Sequence, residues 1–378
     1  MKIVMFYHSL LSDWNHGNAH FLRGIVWNLL ELGHDVRVYE PKDGWSISNL
    51  IAQSGHAAIS QFYQYYPGLL SMRYDAGSLD IDRALDGADL VIVHEWNAHE
   101  LVANIGNHHQ AHNNYILLFH DTHHRSVTAP YEMANYDLSG YDGVLAFGRR
   151  VHDIYLKQGW AKRAWVWHEA ADTRIFKPLA RPKTKDLVWI GNWGDEERSQ
   201  ELKEFLIEPA AKLKLRSAVY GVRYPQWGIN ELDRAGIEYR SYVPNFKVPE
   251  IFAGAKFTVH VPRRPYAAAL AGIPTIRVFE ALACRLPLIC APWKDTEGLF
   301  HPGEDYIIVH NGSEMAQWME RILADDEFAK HLAGNGYRTI IERHTCAHRV
   351  KELMAICESM GMDCSPNKFK SRGVMANV

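Results

Sequence analysis

The residue types that could do chemistry are most concentrated at positions 276–291, where a guanidinium and a carboxylate share one short predicted helix. Arg277 and Glu280 lie near its beginning, and a break at residues 285–287 leads into a buried strand at 288–291. The free backbone N–H groups of a helix N-terminus attract anions. A carboxylate beside such an anion site favours a ligand with both hydroxyls and phosphates, and a nucleotide sugar fits that description.

Arg198 is a second basic group that follows a predicted strand. It comes after the turn 191–194, which contains two glycines and Asn192 and opens a helix. Glycines let the backbone approach a ligand closely, and a guanidinium can bind a diphosphate with two parallel hydrogen bonds. The alternative is an ordinary strand–helix turn in which Arg198 pairs with Asp195 or Glu201.

Arg263 and Arg264 follow another predicted strand of the same half. A run of small residues at 267–274 leads from them into the helix of Arg277. A small-residue loop that enters a helix is suited to a backbone phosphate cradle. The alternative for the two arginines is a solvated basic turn.

The first half of the chain places histidines and carboxylates after two consecutive strands. His94 and Glu95 end one strand, and His120, Asp121 and His123 end the next. A histidine at a strand end could act as a general base or hold a sugar hydroxyl, because its ordinary pKa is near physiological pH. The alternative for each histidine is a packing role.

The elements that must position these residues alternate between apolar strands and helices. The predicted strands are 3–7, 36–40, 90–94, 115–119 and 143–147 in the first half, and 187–190, 217–220, 257–261, 287–291 and 306–309 in the second. The predicted helices include 19–32, 196–213, 312–324, 327–335 and 336–360. Apolar strands separated by helices predict parallel sheets that are covered on both faces.

We therefore predict an α/β protein with two Rossmann-like, doubly wound domains that face each other across a cleft. The first domain is 1–172. The second domain, which contains the candidate residues for a nucleotide sugar, is 173–360, and a flexible tail covers 361–378. The last helix of the second domain could cross back to the first. Ligands of such sheets bind outside the carboxyl ends of the strands, so the cleft is the expected site.

The composition narrows the function classes. The net charge of −3 argues against nucleic acid as the main partner. The five cysteines have no CxxC spacing, and no signal peptide or run of about 18 apolar residues is present, so we expect a cytoplasmic protein. No metal site is predicted, because Asp80-Ile-Asp82 falls in a short helix and the histidines at 108, 109 and 112 lie in a polar turn.

Taken together, these residues resemble those of the GT-B glycosyltransferases. The resemblance is strongest to the bacterial group related to the spore-maturation protein CgeB, and more distant to the retaining enzymes of family four. The matching segments are Met1-Lys-Ile-Val with Asn15-His-Gly-Asn, Phe119-His120, Glu169-Ala-Ala-Asp-Thr-Arg-Ile-Phe-Lys-Pro178, Arg277-x-Phe279-Glu280-Ala-Leu-Ala, Glu297-Gly-Leu-Phe-His-Pro-Gly303, and His344-Thr345 with Arg349.

The resemblance implies a retaining transferase that uses a nucleotide-diphosphate sugar, with UDP or GDP as the nucleotide, and needs no cofactor or metal. Glu280 would hold the ribose, the helix end at Arg277 would hold the diphosphate, and Arg198 would neutralise the leaving phosphate. His120 would contact the transferred sugar or assist proton transfer. The predicted catalytic residues are thus His120 and Arg198, and the predicted donor-binding residues are Gly17, Asn192, Arg198, Arg263, Arg264, Thr275, Arg277 and Glu280.

The acceptor is not readable from the sequence. A glycan, a lipid-linked sugar, a protein or a small molecule would all fit, with His94, Glu95, Asp121 and His123 as acceptor-side candidates. Contact with a membrane surface and the oligomeric state stay open.

Two positions depart from the family pattern. Family-four enzymes carry a second glutamate eight positions before the first-named one, and that position is Gly272 here. The glycine expected after Ala-Cys is Arg285. An arginine would cost on the order of 1 kcal/mol if that position needs a positive φ.

Three other function classes stay open. A nucleotide-sugar epimerase of the same fold would need carboxylates to remove a proton from a sugar carbon, and Glu95 and Asp121 are the only candidates after strands. A non-catalytic structural protein could keep the fold without turnover. A transferase that glucosylates DNA bases is disfavoured by the net charge.

Overall fold

The computed structural model describes residues 1–364, so most of the predicted tail at 361–378 lies outside the described residues. The chain divides into two compact units. The first contains Met1–Asp13, Phe21–His168 and the chain from Cys346 onward, and the second contains Trp14–His20 and Glu169–Thr345. The division after residue 168 is close to the predicted boundary at 172, but the segment Trp14–His20 belongs to the second unit instead of the first.

The first unit is built on a sheet of seven parallel strands in the order β3-β2-β1-β4-β5-β6-β7. The central strands are almost entirely buried, which explains their continuous apolar sequence. The strands are β1 Lys2–Phe6, β2 Asp35–Pro41, β3 Ser71–Tyr74, β4 Leu90–His94, β5 Ile116–Asp121, β6 Gly143–Ala146 and β7 Ala164–Val166.

The second unit is built on six parallel strands in the order β10-β9-β8-β11-β12-β13. These are β8 Lys185–Ile190, β9 Ser217–Tyr220, β10 Ile237–Tyr239, β11 Ala255–His260, β12 Leu288–Cys290 and β13 Ile307–Ile308. The predicted class, two Rossmann-like parallel sheets with connecting helices, is confirmed.

The strand orders locate the point in each sheet where a ligand would bind. In the second sheet the chain runs outward from β8 through β9 to β10, and then returns to place β11 on the other side of β8. The first sheet makes the same reversal between β1 and β4. Ligands of open α/β sheets bind outside the carboxyl ends of the strands at such a reversal. Residues after β8 and β11, and after β1 and β4, are therefore in position for chemistry.

The helices that connect the strands are mostly short. In the first half of the chain they are Ala19–Glu31, Trp45–Ser54, Ala57–Tyr65, Ile81–Leu85, His99–His112, Arg125–Thr128, Pro130–Ala134 and Arg149–Lys157. In the second half they are Ser199–Leu202, Glu208–Lys212, Gln226–Arg234, Val248–Ala253, Arg264–Ala268, Ile276–Ala283, Gly312–Ala324, Asp326–Arg343 and Cys346–Ser359. None of the helices in the described chain is long and apolar enough to cross a membrane.

One helix prediction missed a change of helix type, and another placed a helix boundary wrongly. The predicted helix 196–213 is interrupted by a wider π-type turn at Lys203–Ile207. The predicted break before Gly336 is absent, because Gly336 lies inside the helix Asp326–Arg343. A Cβ at this glycine would lie 2.6 Å from Leu282 Cδ2 and 2.7 Å from the carbonyl oxygen of Asp305, so the residue serves close packing and does not end the helix.

Arg285 does stand where the backbone is left-handed, with φ of 53°. It follows the helix Ile276–Ala283, and its backbone N–H donates to the carbonyl of Leu282 at 3.0 Å. Glycine adopts this conformation most easily, and an arginine costs on the order of 1 kcal/mol in its place. Arg285 thus adopts the left-handed conformation that glycine favours after a helix.

Candidate active site

Arg198 is the anchored guanidinium of the reversal point in the second sheet. Its Nη1 donates to the carbonyl of Val261 after β11 at 2.9 Å, and its Nε donates to the carbonyl of Trp193 at 3.3 Å. Its Nη2 donates to the carbonyl of Asn192 after β8. The guanidinium carbon also lies 5.1 Å from the centre of the Trp189 ring. The side chain therefore joins the ends of the two central strands in a fixed orientation.

Arg198 has no carboxylate partner within the described chain. The two acids that the alternative interpretation assigned to it are paired elsewhere, Asp195 with Arg223 at 2.8 Å and Glu201 with Arg264 at 2.9 Å. The alternative interpretation, in which Arg198 pairs with either acid, is therefore wrong. An anchored guanidinium without a counter-charge is a suitable partner for an anionic ligand.

Three guanidinium groups influence one another at this point. Burial lowers the pKa of Arg198, and the positive charges of Arg263 and Arg277 lower it further. Arg263 is paired with Glu197 at 3.1 Å, and Arg277 is paired with Glu280. A bound dianion would relieve the repulsion among these three groups.

Gly194 makes room for the guanidinium. Its φ is 86°, in the left-handed region, and a Cβ there would lie 2.8 Å from Nε of Arg198. Any other residue would meet both backbone strain and the Arg198 side chain. The second glycine of the turn is thus explained by the position of Arg198.

Glu280 is fully buried, and its carboxylate receives bonds from three side chains. Oε1 accepts from His20 Nδ1 at 3.0 Å and from Asn245 Nδ2 at 2.8 Å, and Oε2 accepts from Arg277 Nη1. The backbone N–H of Asp172 donates to Nε2 of His20 at 2.6 Å. Because that N–H can only donate, the His20 proton lies on Nδ1 and is directed at Glu280.

The surroundings of Glu280 keep it ionised. Burial alone would raise its pKa, but the charge of Arg277 and the hydrogen bonds from His20 and Asn245 hold the pKa below its usual range. Oε1 already accepts two bonds and Oε2 accepts one, so the predicted contact with a ribose hydroxyl would use the remaining lone pair of Oε2.

Three other predicted donor residues have contacts of their own within the second unit. Oδ1 of Asn192 accepts from the backbone N–H of Val222 at 3.0 Å. Thr275 precedes the helix Ile276–Ala283, and its hydroxyl lies 3.0 Å from Nε2 of the buried His260. Gly17 packs where a Cβ would lie 3.1 Å from the Ile276 side chain.

Arg264 is an exposed residue among the predicted donor residues. Its side chain is 54% exposed and is paired with Glu201. It also donates to the carbonyl of Glu196 at 2.8 Å. Arg264 thus has its own partners. The guanidinium groups whose charges influence one another are those of Arg198, Arg263 and Arg277.

Gly272 is a position where a glutamate side chain would not fit. Its φ is 91°, and a Cβ would lie 2.5 Å from Thr296 Oγ1 and 2.7 Å from Cγ of Glu297. Oε1 of Glu297 lies 3.2 Å from the same point. The side chain of another glutamate, 25 positions later in the chain, therefore fills the space beside residue 272.

The first unit holds a separate aromatic cluster after β1, β4 and β5. His120 is 1% exposed, and its Nδ1 is 2.7 Å from the hydroxyl of Tyr7. Nε2 of His120 has no hydrogen-bond partner in the described chain. Burial lowers the pKa of His120 to about 3, so the ring is neutral at pH 7. His94 stacks on Tyr7 with ring centres 4.7 Å apart, and its Nε2 is 2.9 Å from the Thr122 hydroxyl.

Glu95 and Asp121 are fully buried in the same unit. Oε2 of Glu95 accepts from Nε and Nη2 of Arg125 at 3.0 and 2.8 Å. Asp121 accepts from the backbone N–H of His123 at 3.0 Å and from the hydroxyl of Tyr155 at 2.9 Å. Burial and the neighbouring Asp121 charge raise the pKa of Glu95, and burial raises that of Asp121. Both carboxyls thus belong to an internal network.

Several residues of these groups were missed by sequence reasoning. Trp96 is 37% exposed, lies 4.2 Å below the guanidinium of Arg125, and has its ring 5.1 Å from that of His123. Its position just after β4 could have identified it. His20 also had a signal, the Asn/Gly-rich turn before it, whereas nothing in the sequence around Asn245 indicates its contact with Glu280.

The aspartate and histidine residues whose spacing resembles that of metal ligands have structural contacts instead. Asp80 caps the helix Ile81–Leu85 by accepting from the N–H of Arg83 at 3.0 Å. His109 bonds to the carbonyls of Gly140 and Tyr115 at 2.7 and 2.8 Å. Within residues 1–364, no group of three or more histidines, cysteines or acidic residues is arranged to hold a metal ion.

Comparison with known proteins gives a family match over the second half of the chain. Residues 198–355 match a family described as glycosyl transferase-like. This segment contains Arg198, Arg263, Arg277 and Glu280. No curated protein sequence matches the chain.

Solved structures match the fold over nearly the whole chain. Sucrose-phosphate synthase from Thermosynechococcus elongatus is 14% identical, with a TM-score of 0.66 over 96% of this chain and 99% of that chain. HepE from Anabaena, in complex with UDP and glucose, is 14% identical, with a TM-score of 0.69 over 95% and 100%. An α-glucosyltransferase in complex with UDP and a 13-mer DNA is 12% identical, with a TM-score of 0.68 over 95% and 99%.

These similarities confirm two of the sequence predictions. The GT-B fold is confirmed by the solved structures, and the glycosyltransferase class is confirmed by the family match over residues 198–355. The relationship to the CgeB group stays a prediction, as do the roles of the individual site residues.

Proposed function

We propose that this chain transfers a sugar from a nucleotide-diphosphate sugar, with UDP or GDP as the nucleotide, to a hydroxyl-bearing acceptor. The observation that carries the proposal is Arg198, which is fixed by three backbone carbonyls at the ends of β8 and β11 and has no carboxylate partner in the described chain. The similar structure of HepE was solved in complex with UDP and glucose, which supports a nucleotide-sugar donor.

The leaving diphosphate gives Arg198 its role. When the glycosidic bond breaks, negative charge accumulates on the phosphate oxygen that leaves the sugar. A guanidinium already held in place stabilises that charge without reorganisation at the moment of reaction. Arg277 and the uncapped start of the helix Ile276–Ala283 would bind the rest of the diphosphate, with Arg263 beside them.

The remaining donor contacts follow the sequence prediction. Asn192, Thr275 and Gly17 would line the donor site, with Gly17 allowing close approach, and Arg264 would lie at its exposed edge. Glu280 would serve the nucleotide by holding Arg277 and His20 in position and, at the remaining lone pair of Oε2, by accepting from a ribose hydroxyl.

His120 would act on the transferred sugar as a neutral ring. Its low pKa and its unpartnered Nε2 suit a hydrogen bond to a sugar hydroxyl better than a cationic role. On the acceptor side, His94 and His123 would flank the acceptor, with Glu95 and Asp121 as the buried network that supports them. We propose retention of the anomeric configuration, as the family resemblance implies, and a cytoplasmic location.

The epimerase alternative gains no support from the site. It depends on Glu95 and Asp121 as proton-removing carboxylates, and both are fully buried with partners of their own. The acceptor class stays open among a glycan, a lipid-linked sugar, a protein and a small molecule, with DNA as the disfavoured case.

A donor panel tests the proposed function. The purified full chain is titrated calorimetrically with UDP-, GDP- and dTDP-sugars, and each radiolabelled donor is incubated with oligosaccharide, lipid-linked, protein and DNA acceptors. We expect one nucleotide class to bind and its sugar to be transferred or slowly hydrolysed. Absence of binding to every donor would refute the proposal, and sugar interconversion without transfer would favour the epimerase.

We expect the transfer to proceed without a divalent cation. The reason is that Arg198, which has no carboxylate partner in the described chain, would balance the charge of the leaving diphosphate with Arg263 and Arg277 beside it, a role that a cation fills in other transferases. The measurement is nucleotide release after dialysis against EDTA, with added Mg²⁺ or Mn²⁺ in parallel samples. Activity that EDTA removes and Mn²⁺ restores would contradict this prediction.

A further inference from the structure

Glu169 is a buried carboxyl group of the second unit that the proposed reaction does not use. It is 4% exposed, and its Oε1 has no hydrogen-bond partner among the described residues. It lies at the start of this unit's long segment, three positions before Asp172, whose N–H fixes the proton of His20. No hydrogen bond to Oε1 within residues 1–364 accounts for a carboxyl group at this position.

The charged groups that act on Glu169 belong to the Glu280 arrangement. Burial and the negative charge of Glu280 together raise its pKa to about 8, against the opposing positive charge of Arg277. His20 faces the same arrangement through its bond to Glu280. Glu169 therefore carries a proton at neutral pH while Glu280, which holds three donors, does not.

Glu169 differs in this respect from the other carboxylate residues of the second unit that are buried as a whole. Other buried carboxylates there are fully engaged, Asp172 with Arg174 at 2.7 Å and Asp305 with the hydroxyl of Thr339 at 3.0 Å. A buried polar group without a partner lowers the stability of a fold. Buried polar groups of folded proteins are nearly always hydrogen-bonded, so an exception calls for an explanation, and a ligand that supplies the missing partner is one.

We propose that Glu169 binds a hydroxyl of the nucleotide-sugar donor, and that Glu280 is the positioning residue that holds Arg277 and His20. This inference rests on the proposed function and names a further contact within that site. A protonated carboxyl can donate through its O–H and accept through its carbonyl oxygen, so it can serve two neighbouring hydroxyls at once. Those hydroxyls could belong to the ribose or to the transferred sugar.

Two substitutions separate a ligand contact from a structural role. Glu169→Gln keeps a neutral donor and acceptor of similar shape, and Glu169→Leu removes both. Because Oε1 has no partner to lose, we expect Glu169→Leu to melt at or above the temperature of the unmodified protein. We expect it to bind UDP or UDP-glucose about tenfold more weakly, the loss of roughly one hydrogen bond, and Glu169→Gln to stay within about threefold.

The probes identify which hydroxyl is bound. Calorimetric titrations use UDP, 2′-deoxy-UDP and UDP-glucose, or the guanosine counterparts if the donor panel selects GDP. A ribose contact predicts that the unmodified protein prefers UDP over 2′-deoxy-UDP and that Glu169→Leu loses this preference. A contact with the transferred sugar predicts unchanged UDP binding and a selective loss for UDP-glucose. Glu231→Leu, at an exposed residue paired with Arg234, is the matched control.

The inference and the proposed function fail in different ways. If the unmodified protein binds no nucleotide, the proposed function is refuted. If it binds a donor that Glu169→Leu also binds with equal affinity, only the role of Glu169 is overturned. A weaker affinity accompanied by a lower melting temperature in both variants would likewise overturn it, because that pattern indicates a structural role.

Discussion

Arg198→Ala should lower kcat by roughly 100- to 1000-fold while the KM for the donor changes much less. The side chain is held by backbone carbonyls on both sides of the β8–β11 reversal, so its charge is in place before the reaction begins. Such a positive charge stabilises the reaction most at the moment when the diphosphate leaves, because the negative charge on the diphosphate is then largest. The measurement is the steady-state rate of nucleotide release with the donor that the panel selects.

Two variants serve as controls for this prediction. Arg198→Lys keeps a positive charge but cannot reach three carbonyls, so an intermediate rate is expected. Arg240→Ala removes an exposed guanidinium paired with Glu238 in the same unit and should leave the rate unchanged. Circular dichroism shows whether each variant is folded. A raised KM with an unchanged kcat would mean that Arg198 contacts only the bound ground state.

The position of Arg198 could be predicted from the sequence, but its partners could not. A post-strand location follows from the apolar run before it, and the parallel sheet follows from the alternation of strands and helices. The nearby acids Asp195 and Glu201 made a local ion pair plausible, and only the fold brings Arg223 and Arg264 to them instead. Pairing between residues distant in sequence is decided by tertiary packing, which composition and spacing do not contain.

The fold itself was predictable where burial is continuous and unpredictable where it is not. The buried central strands β1, β4 and β5 have uninterrupted apolar sequences. The edge strands β3 and β7 are short and only half-buried or exposed, and their sequences lack that signal. Gly336 misled the boundary prediction because a glycine needed for packing looks the same in sequence as one that ends a helix.

The departure at residue 272 shows a similar limit within the site. The sequence reveals that a glutamate is missing there, but not that Thr296 and Glu297 occupy the space beside a left-handed glycine. In the same way, the sequence suggested Glu280 as a free ribose ligand. The structure instead gives it His20 from the N-terminal segment and Asn245 from a distant turn.

These contacts change what removal of Glu280 should do. Glu280→Ala should lower the free energy of unfolding by about 3–5 kcal/mol, because it leaves the buried His20 and Asn245 and the partly exposed Arg277 without their common partner. For a unit of this size, that loss corresponds to a fall in melting temperature of roughly 6–20 °C. Differential scanning calorimetry measures the fall directly.

A graded series shows whether Glu280 acts through its charge or through its hydrogen bonds. Glu280→Gln keeps an acceptor oxygen for His20 or Asn245 but removes the charge opposite Arg277, so its melting temperature should lie between those of Glu280→Ala and the unmodified protein. Glu238→Ala removes an exposed pair with Lys185 and Arg240, which should cost less than about 1 kcal/mol. If Glu280→Ala has the same melting temperature as the unmodified protein and loses only donor affinity, then Glu280 is a ligand-binding residue. Its three internal bonds would then contribute little to the stability of the fold.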